Sequence, residues 1–200
     1  MRKKFLFIGG RGYLGQALIK KLQKENDIVV YPNDIRVRIS STEKFDTVFH
    51  FAGPSDDYDF ADKKKTITTI VDGTINVVNY CLVNNIKLIF SSSMAVHHIK
   101  LNDNYSTGKL AMENYIRSVL KDFLILRIPR VYSKCRKKGL MKKIRNNQVP
   151  VNDLNNVIEY ITLDDFVTQT LQMLDSKRNT TCEYQVNNKK TIRAIAKEFS

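Results

Sequence analysis

Short apolar runs alternate with longer stretches of helical spacing over the first 130 residues. "KFLFIGG" is a brief apolar run ending in glycine, the pattern of a buried strand. "YLGQALIKKLQKEN" then places Leu14, Ala17, Leu18 and Leu22 on one helical face with charges opposite. "DIVVYP", closed by Pro32, and "DTVFHFAG" (46–53) read as two further strands. "TITTIVDGTINVVNYCLVNN" has the length of a long, largely buried helix, and "IKLIFSSS" that of a strand. "GKLAMENYIRSVLK" aligns Met112, Tyr115, Ile116, Val119 and Leu120 in one stripe, and "DFLILRIP" is a strand stopped by Pro129.

Strands so continuously apolar need cover on both faces, as in a parallel sheet flanked by helices. The pattern predicts an α/β fold, a doubly wound parallel sheet with right-handed crossovers. After Pro129 the texture becomes basic and irregular. "YITLDDFVTQTLQML" then reads as one amphipathic helix, "EYQV" as a short strand and "TIRAIAKEF" as a last helix. The expected division is a sheet domain over 1–130 and a small cap over 131–200, too short to fold independently.

Composition narrows this little. The 200 residues, 42% hydrophobic and 26% charged, suit one compact unit. Cys81, Cys135 and Cys182 are far apart without a C-x-x-C pair, so neither a metal site nor a disulfide framework is expected. "MRKKFLFIGG" imitates a signal peptide, but its apolar run is too short. No other stretch approaches the roughly 20 apolar residues of a membrane span. A soluble, cytoplasmic protein is expected. The formal net charge of +13, densest in "KCRKKGLMKKIR" (134–145), attracts phosphates of any kind. Nucleotides, nucleic acid and acidic membranes all remain open on charge alone.

Chemistry enters with "GGRGYLG", where Gly9, Gly12 and Gly15 lie between a predicted strand and helix. Small residues there let the backbone turn tightly and approach a diphosphate seated at the helix N-terminus. The end of the second strand reads "YPND", so Pro32 or Asn33 stands where a ribose-binding acid would favour NAD, and Asp34 comes slightly late. Arg11 and Arg36 could instead meet the extra phosphate of NADP. That reading leans to NADP over NAD.

"FSSSMAVHHIKLNDNYSTGK" (90–109) supplies the reactive groups. Tyr105 and Lys109 are four apart on the helix whose apolar stripe runs through Met112 and Ile116, so both face inward. The serines end a strand at the sheet edge where open α/β sheets bind ligands. A free tyrosine has a pKa of about 10, and a neighbouring ammonium lowers it by stabilising phenolate. Tyr105 would exchange a proton with a carbonyl or alcohol oxygen as hydride moves, and Ser93 would orient that oxygen. Lys109 would tune Tyr105 and hold the nicotinamide ribose.

These stretches resemble the extended short-chain dehydrogenase/reductase family, in its nucleotide-sugar epimerase, dehydratase and reductase branch. The matching pieces are "GGRGYLG", "VFHFAG", "VDGTINVV", "FSSSMAV", "YSTGK", "LRIPRVYS" and "YITLDDF", in the family's order over residues 5 to 166, with "YQVNNKKTIRAIAKEF" resembling a later segment. The resemblance implies a Rossmann-type dinucleotide domain with a truncated C-terminal substrate cap, and Ser93, Tyr105 and Lys109 as the catalytic set. It implies that Gly9, Arg11, Gly12, Tyr13, Leu14 and Gly15 hold the cofactor diphosphate region, and that Asp34, Ile35 and Arg36 lie near the adenosine. Phe51, Ala52 and Gly53 would line the cofactor, and Pro129 and Val131 the nicotinamide. Thr162 would cap a helix with Asp165. Three departures stand out. The segment before "TVFHFAG" is short enough to have lost a helix and a strand, Ile70 stands where the family commonly has Asn, and the loop from Ser93 to Tyr105 is lean.

Met94 and Ala95 replace the Asp-Glu pair that the family's dehydratases carry after the serine strand, which disfavours dehydration. "GGRGYLG" is similar to the glycine loop of 4-keto-sugar reductases. The expected function is reduction of a nucleotide-diphosphate-linked 4-keto-6-deoxyhexose at C4, with the basic stretch 134–145 facing the substrate diphosphate. The alternatives are an epimerase with tightly held NAD, and a non-catalytic nucleotide- or RNA-binding protein on the same fold. Nucleic acid is disfavoured because the basic run lacks interleaved aromatics. The resemblance also implies a possible homodimer through the helices at 66–85 and 105–121.

Overall fold

A computed structural model describes residues 2–54 and 61–198. Its core is a six-stranded, wholly parallel sheet of β1 (Lys4–Ile8), β2 (Asp27–Val30), β3 (Thr47–His50), β4 (Lys87–Ser93), β5 (Phe123–Ile128) and β8 (Thr180–Glu183). The strand order is β2-β1-β3-β4-β5-β8. Side chains alternate between two cores because successive strand residues face opposite ways. Leu6, Ile8, Val48, Leu88, Phe90 and Ile125 pack under α2 (Lys63–Asn84) and α3 (Asn104–Val119). Phe5, Phe7, Phe49, Ile89, Leu124 and Leu126 pack under α1 (Tyr13–Leu22) and α5 (Leu163–Ser176). The apolar strands of the sequence are therefore covered on both faces, as a doubly wound sheet requires.

The chain enters the sheet at β1, moves outward to β2 and then returns to β3 on the other side. The reversal point thus lies beyond the carboxyl ends of β1 and β3, where such sheets open a crevice. Between Val30 and Thr47 the structure has turns and bends only, so the short segment carries neither helix nor strand. Ile35, Ile39 and Phe45 from this loop are nonetheless buried against the first core, and Asn76 donates to the Ile35 carbonyl at 2.9 Å. The loop covers apolar surface that an additional unit would otherwise cover.

An 18-residue window of α2 reaches a mean hydropathy of 1.2, enough by length and composition alone to cross a membrane. Its apolar face instead packs into the core through Ile70, Val77, Val78 and Cys81.

Residues 131–198 differ most from the sequence reading. "YITLDDFVTQTLQML" is not one helix: β7 (Val157–Thr162) runs through its first residues and α5 starts at Leu163. The boundary has a clear cause. Thr162 Oγ1 accepts from the Asp165 N–H at 3.0 Å while the Asp165 carboxylate accepts from the Thr162 N–H at 3.1 Å, a reciprocal cap. The last strand of the main sheet is "TTCE", just before the expected "EYQV". Tyr184 is buried against Phe166 and bonds Thr170. The basic stretch contains a short helix, α4 (Gly139–Arg145), anchored by buried Met141 and Ile144. A second sheet orders β6 (Val131–Tyr132), β7 and β9 (Asn188–Thr191), with β9 antiparallel. A final turn of helix, α6 (Ile192–Ala196), ends short of the expected "TIRAIAKEF", and Phe199 lies outside the described residues.

Candidate active site

The glycine loop joins β1 to α1 at the reversal point. Gly9 has φ +84°, and a Cβ there would meet the backbone N of Ala52 at 2.4 Å, so no other residue fits without displacing the end of β3. The Gly12 N–H donates to Gly9 O at 2.9 Å, closing the turn. Gly15 packs against that same carbonyl, where a Cβ would stand 2.6 Å away. No side chain caps α1, so its first turn, with Tyr13 and Leu14, presents bare N–H groups and the positive end of the helix dipole.

An open cleft of about 180 Å³ runs from this loop over the sheet edge. Gly9, Arg11, Ile35 and Ala52 line it, as does Gly10. Tyr31, Pro32 and Asn33, after β2, form its far wall. Asp34 and Arg36 are not part of the lining. They bond each other instead: Arg36 Nε donates to Asp34 Oδ1 and Oδ2, each at 3.0 Å. The Arg36 guanidinium holds the Asp34 carboxyl down to about 2. Phe51 turns to the other face, edge-on to Phe166.

Gly53 follows Ala52 in the chain, and a Cβ there would lie 3.7 Å from Lys109 Nζ. Lys109 is only 4% exposed. Its ammonium donates to Ser91 O at 2.7 Å and sits 4.7 Å above the Phe90 ring and 6.0 Å from the Tyr105 ring. Burial lowers its pKa to about 8, with the Glu113 charge acting in the opposite sense. Tyr105 is pushed up by burial, while a hydrogen bond with the Ser93 side chain and the charge of Arg136 pull it down. Ser93 also caps the short turn Met94–His97, its Oγ accepting from Ala95 N at 3.2 Å. In the sheet register Ser93 is opposite Ile128, so Pro129 and Val131 follow directly beside it. The structure thus brings together Ser93, Tyr105 and Lys109, with the glycine loop on one side and Pro129 on the other. Asp103 fixes the start of α3, its Oδ1 accepting from Ser106 N at 3.0 Å, so the lean loop still delivers Tyr105 onto the first helical turn.

Three features went unread in the sequence. Glu113, one turn beyond Lys109, is fully buried and accepts from Ser92 Oγ (2.5 Å), Arg117 (2.6 Å) and Arg127 (2.8 Å). Arg127 continues to Glu183 at 3.0 Å, and Glu183 to His97 at 2.6 Å. This chain of charges ties α3 to β4, β5 and β8 directly behind the serine end. His50, at the end of β3, bonds Thr74 at 3.0 Å and is held neutral by burial and by Lys109, its pKa lowered to about 3. Arg136 reaches over the Tyr13 ring, its guanidinium carbon 5.6 Å from the centroid.

A parallel α/β sheet with a glycine turn at its reversal point is a Rossmann-type fold, and a buried Tyr-Lys pair lies beside a serine at its edge. Sequence comparison gives the family: residues 5–187 match the NAD dependent epimerase/dehydratase family, and the chain belongs to that family. A curated relative, D-erythronate dehydrogenase of Haemophilus influenzae, is 28% identical over an alignment of 172 residues, covering 64% of this chain and 55% of the relative. The chain thus spans about half the length of that relative. Among solved structures, the UDP-glucose 4-epimerase of Thermotoga maritima superposes with a TM-score of 0.81 at 18% identity, covering 98% of this chain and 81% of that one. A dTDP-glucose 4,6-dehydratase double mutant from Streptomyces venezuelae, with NAD bound, gives 0.83 at 18% identity over 100% and 80% of the two chains. The dTDP-4-dehydrorhamnose reductase of Bacillus anthracis, in complex with NADP, gives 0.79 at 16% over 100% and 80%. At these identities the structural likeness establishes the fold.

Proposed function

We propose that the protein is an NAD(P)-dependent oxidoreductase that reduces a nucleotide-diphosphate-linked 4-keto-6-deoxyhexose at C4. One observation carries this: a buried ammonium, Lys109, faces the Tyr105 ring while Tyr105 hydrogen-bonds Ser93 at the carboxyl edge of the sheet. The residues fit a dinucleotide, because the cleft opens at the reversal point and Gly9 keeps Ala52 close enough to leave a smooth floor. When bound, a nicotinamide supplies the hydride. Gly9 and Gly12 would shape the turn and Tyr13, Leu14 and Gly15 would hold its diphosphate on bare N–H groups, with Ile35 and Ala52 against the adenosine. Gly53, Pro129 and Val131 would border the path to the reacting end, whereas the Phe51 side chain, expected to line the cofactor, is turned toward Phe166.

Tyr105 would give its phenolic proton to the substrate carbonyl oxygen, and Ser93 would donate a hydrogen bond to the same atom. Lys109 would stabilise the phenolate that remains. The support for NADP over NAD now rests on Arg11, which lines the cleft, because Asp34 neutralises Arg36. In this reading residues 1–130 hold the dinucleotide and 131–200 cap the substrate, in a cytoplasmic protein able to form a homodimer through α2 and α3. The stretch 134–145 would face the substrate diphosphate.

A second reading, oxidation of a free sugar acid, is favoured by the similarity to D-erythronate dehydrogenase. Nicotinamide absorbance separates the two. NADPH and NADH are supplied with nucleotide-linked 4-keto-6-deoxyhexoses, and NAD with D-erythronate, each with wild type and Tyr105→Phe. Consumption of reduced cofactor that falls by about a hundredfold or more in Tyr105→Phe supports the first reading. Reduction of NAD by D-erythronate selects the second. Equal behaviour of wild type and Tyr105→Phe would leave a binding protein or an epimerase that retains NAD, and denaturing the protein to release NAD tells these apart.

A further inference from the structure

The charge cluster behind the serine strand holds more than α3, because it grips the chain on both sides of Ser93. Ser92, Arg127 and Glu183 form one row across β4, β5 and β8, each opposite the next in the register. Glu113 reaches this row from α3. It accepts from the Ser92 hydroxyl at 2.5 Å and from the Arg127 guanidinium in contacts of 2.8, 3.0 and 3.2 Å. Glu183 ends the row, its Oε1 accepting from Arg127 Nη1 at 3.0 Å and lying 2.6 Å from His97 Nε2. The two nitrogens are 3.3 Å apart, converging on one carboxylate oxygen. A carboxylate only accepts, so His97 Nε2 carries a proton and donates to it.

His97 is the last residue of the turn Met94–His97, which begins at Ser93. Ser93 Oγ accepts from Ala95 N at 3.2 Å, and His98 N closes the turn on Ala95 O at 3.0 Å. Ser93 therefore stands between two anchors of a single network: Ser92 before it is tied to Glu113, and the turn after it is tied to Glu183. A serine side chain has three staggered rotamers, and the Ala95 N–H selects one of them only while the turn keeps its place. Exposure rises along the network, from none at Glu113 and 17% at Arg127 to 42% at Glu183 and 39% at His97. An ion pair that exposed adds little to stability, so the outer contact matters for placement rather than for folding.

We propose that His97 is a positioning residue: held by Glu183, it locks the Met94–His97 turn and so fixes the Ser93 hydroxyl for the oxygen that reacts at Tyr105. The link to the reacting oxygen rests on the oxidoreductase reading, whereas the locking of the turn does not.

Hydrogen exchange at the Ala95 and His98 amides, followed by NMR in the free protein, reads the turn without substrate. Wild type, His97→Ala, His97→Gln and Glu183→Ala are compared. Both amides are expected to exchange about tenfold faster in the two Ala variants. His97→Gln, whose amide nitrogen can replace Nε2, should recover the protection, and the urea midpoint of His97→Ala should hardly move. Turnover tests the link to Ser93, on whichever substrate the nicotinamide assay selects. There kcat should fall by about tenfold in His97→Ala with KM little changed, and His97→Ala should add nothing in a Ser93→Ala background. Unchanged exchange at Ala95 in His97→Ala would overturn the proposal. A turnover loss that adds in full to that of Ser93→Ala would do the same, since an effect independent of Ser93 is not positioning of its hydroxyl. If no substrate turns over, the oxidoreductase reading falls, and the exchange rates still decide whether His97 locks the turn.

Discussion

Individual residues in this site are held in states that ordinary solvation would not give, and each state can be measured. Gly9 combines φ +84° with a backbone neighbour 2.4 Å from a would-be Cβ, whereas Gly139 has φ +60° and open space. Gly9→Ala is expected to cost about 3 kcal/mol or more, and Gly139→Ala about 1 kcal/mol. Urea denaturation at unchanged slope measures both, and equal costs would contradict the close approach of β3. Lys109 titrates at about 8 in the fold against an ordinary 10.5. Between those values the unfolded chain binds more protons than the native one, so this group makes stability rise with pH across that window. Thermal melts of wild type and Lys109→Met from pH 7 to pH 10 should diverge accordingly, the wild type gaining relative to the variant. Parallel curves would mean that Lys109 is solvated. Tyr105 and Lys109 were legible because four-residue spacing on an apolar stripe turns both inward. Glu113 obeys the same spacing and was missed, since a helical glutamate is ordinarily solvated. Its signal was Arg127, a charge inside the apolar run "DFLILRIP", which needs a buried partner.

At the scale of elements, α3 is the piece on which the site depends. It carries Tyr105 and Lys109 on its inner face and is bolted to the sheet by Glu113. Removing one partner of a buried charge cluster leaves the others unpaired, so Glu113→Gln is expected to destabilise by about 3 kcal/mol. Ser92→Ala, which removes one hydrogen bond, should cost about 1 kcal/mol. A shift in denaturation midpoint no larger for Glu113→Gln than for Ser92→Ala would show that the cluster is solvated. The elements after Pro129 were the least legible, for physical reasons. β7 alternates buried and exposed positions, and its apolar residues merge with those of α5 into one run that only the Thr162–Asp165 cap divides. β8 is polar "TTCE" at a sheet edge, where pairing rather than burial makes the strand. β9, "NKKT", offers no apolar pattern at all and is held by its ladder to β7 and the Lys189–Glu159 pair.

For the molecule as a whole, the doubly wound sheet was readable because β1, β3, β4 and β5 are apolar on both faces, with glycine or proline just after β1, β3 and β5 and a serine run ending β4. The shortened segment after β2 was also readable, but not its consequence: an irregular loop seals the core with Ile35, Ile39 and Phe45 and also provides a wall of the cleft through Pro32 and Asn33. A sheet reduced in this way still presents glycine loop, cleft and Tyr-Lys pair along one edge, which is the geometry a dinucleotide needs. The most direct test is titration of the wild-type chain with NADH and with NADPH, followed by nicotinamide fluorescence. The account predicts saturable binding of at least one of them at one molecule per chain, weakened in Lys109→Met. Failure of a folded wild-type chain to bind either dinucleotide would contradict it.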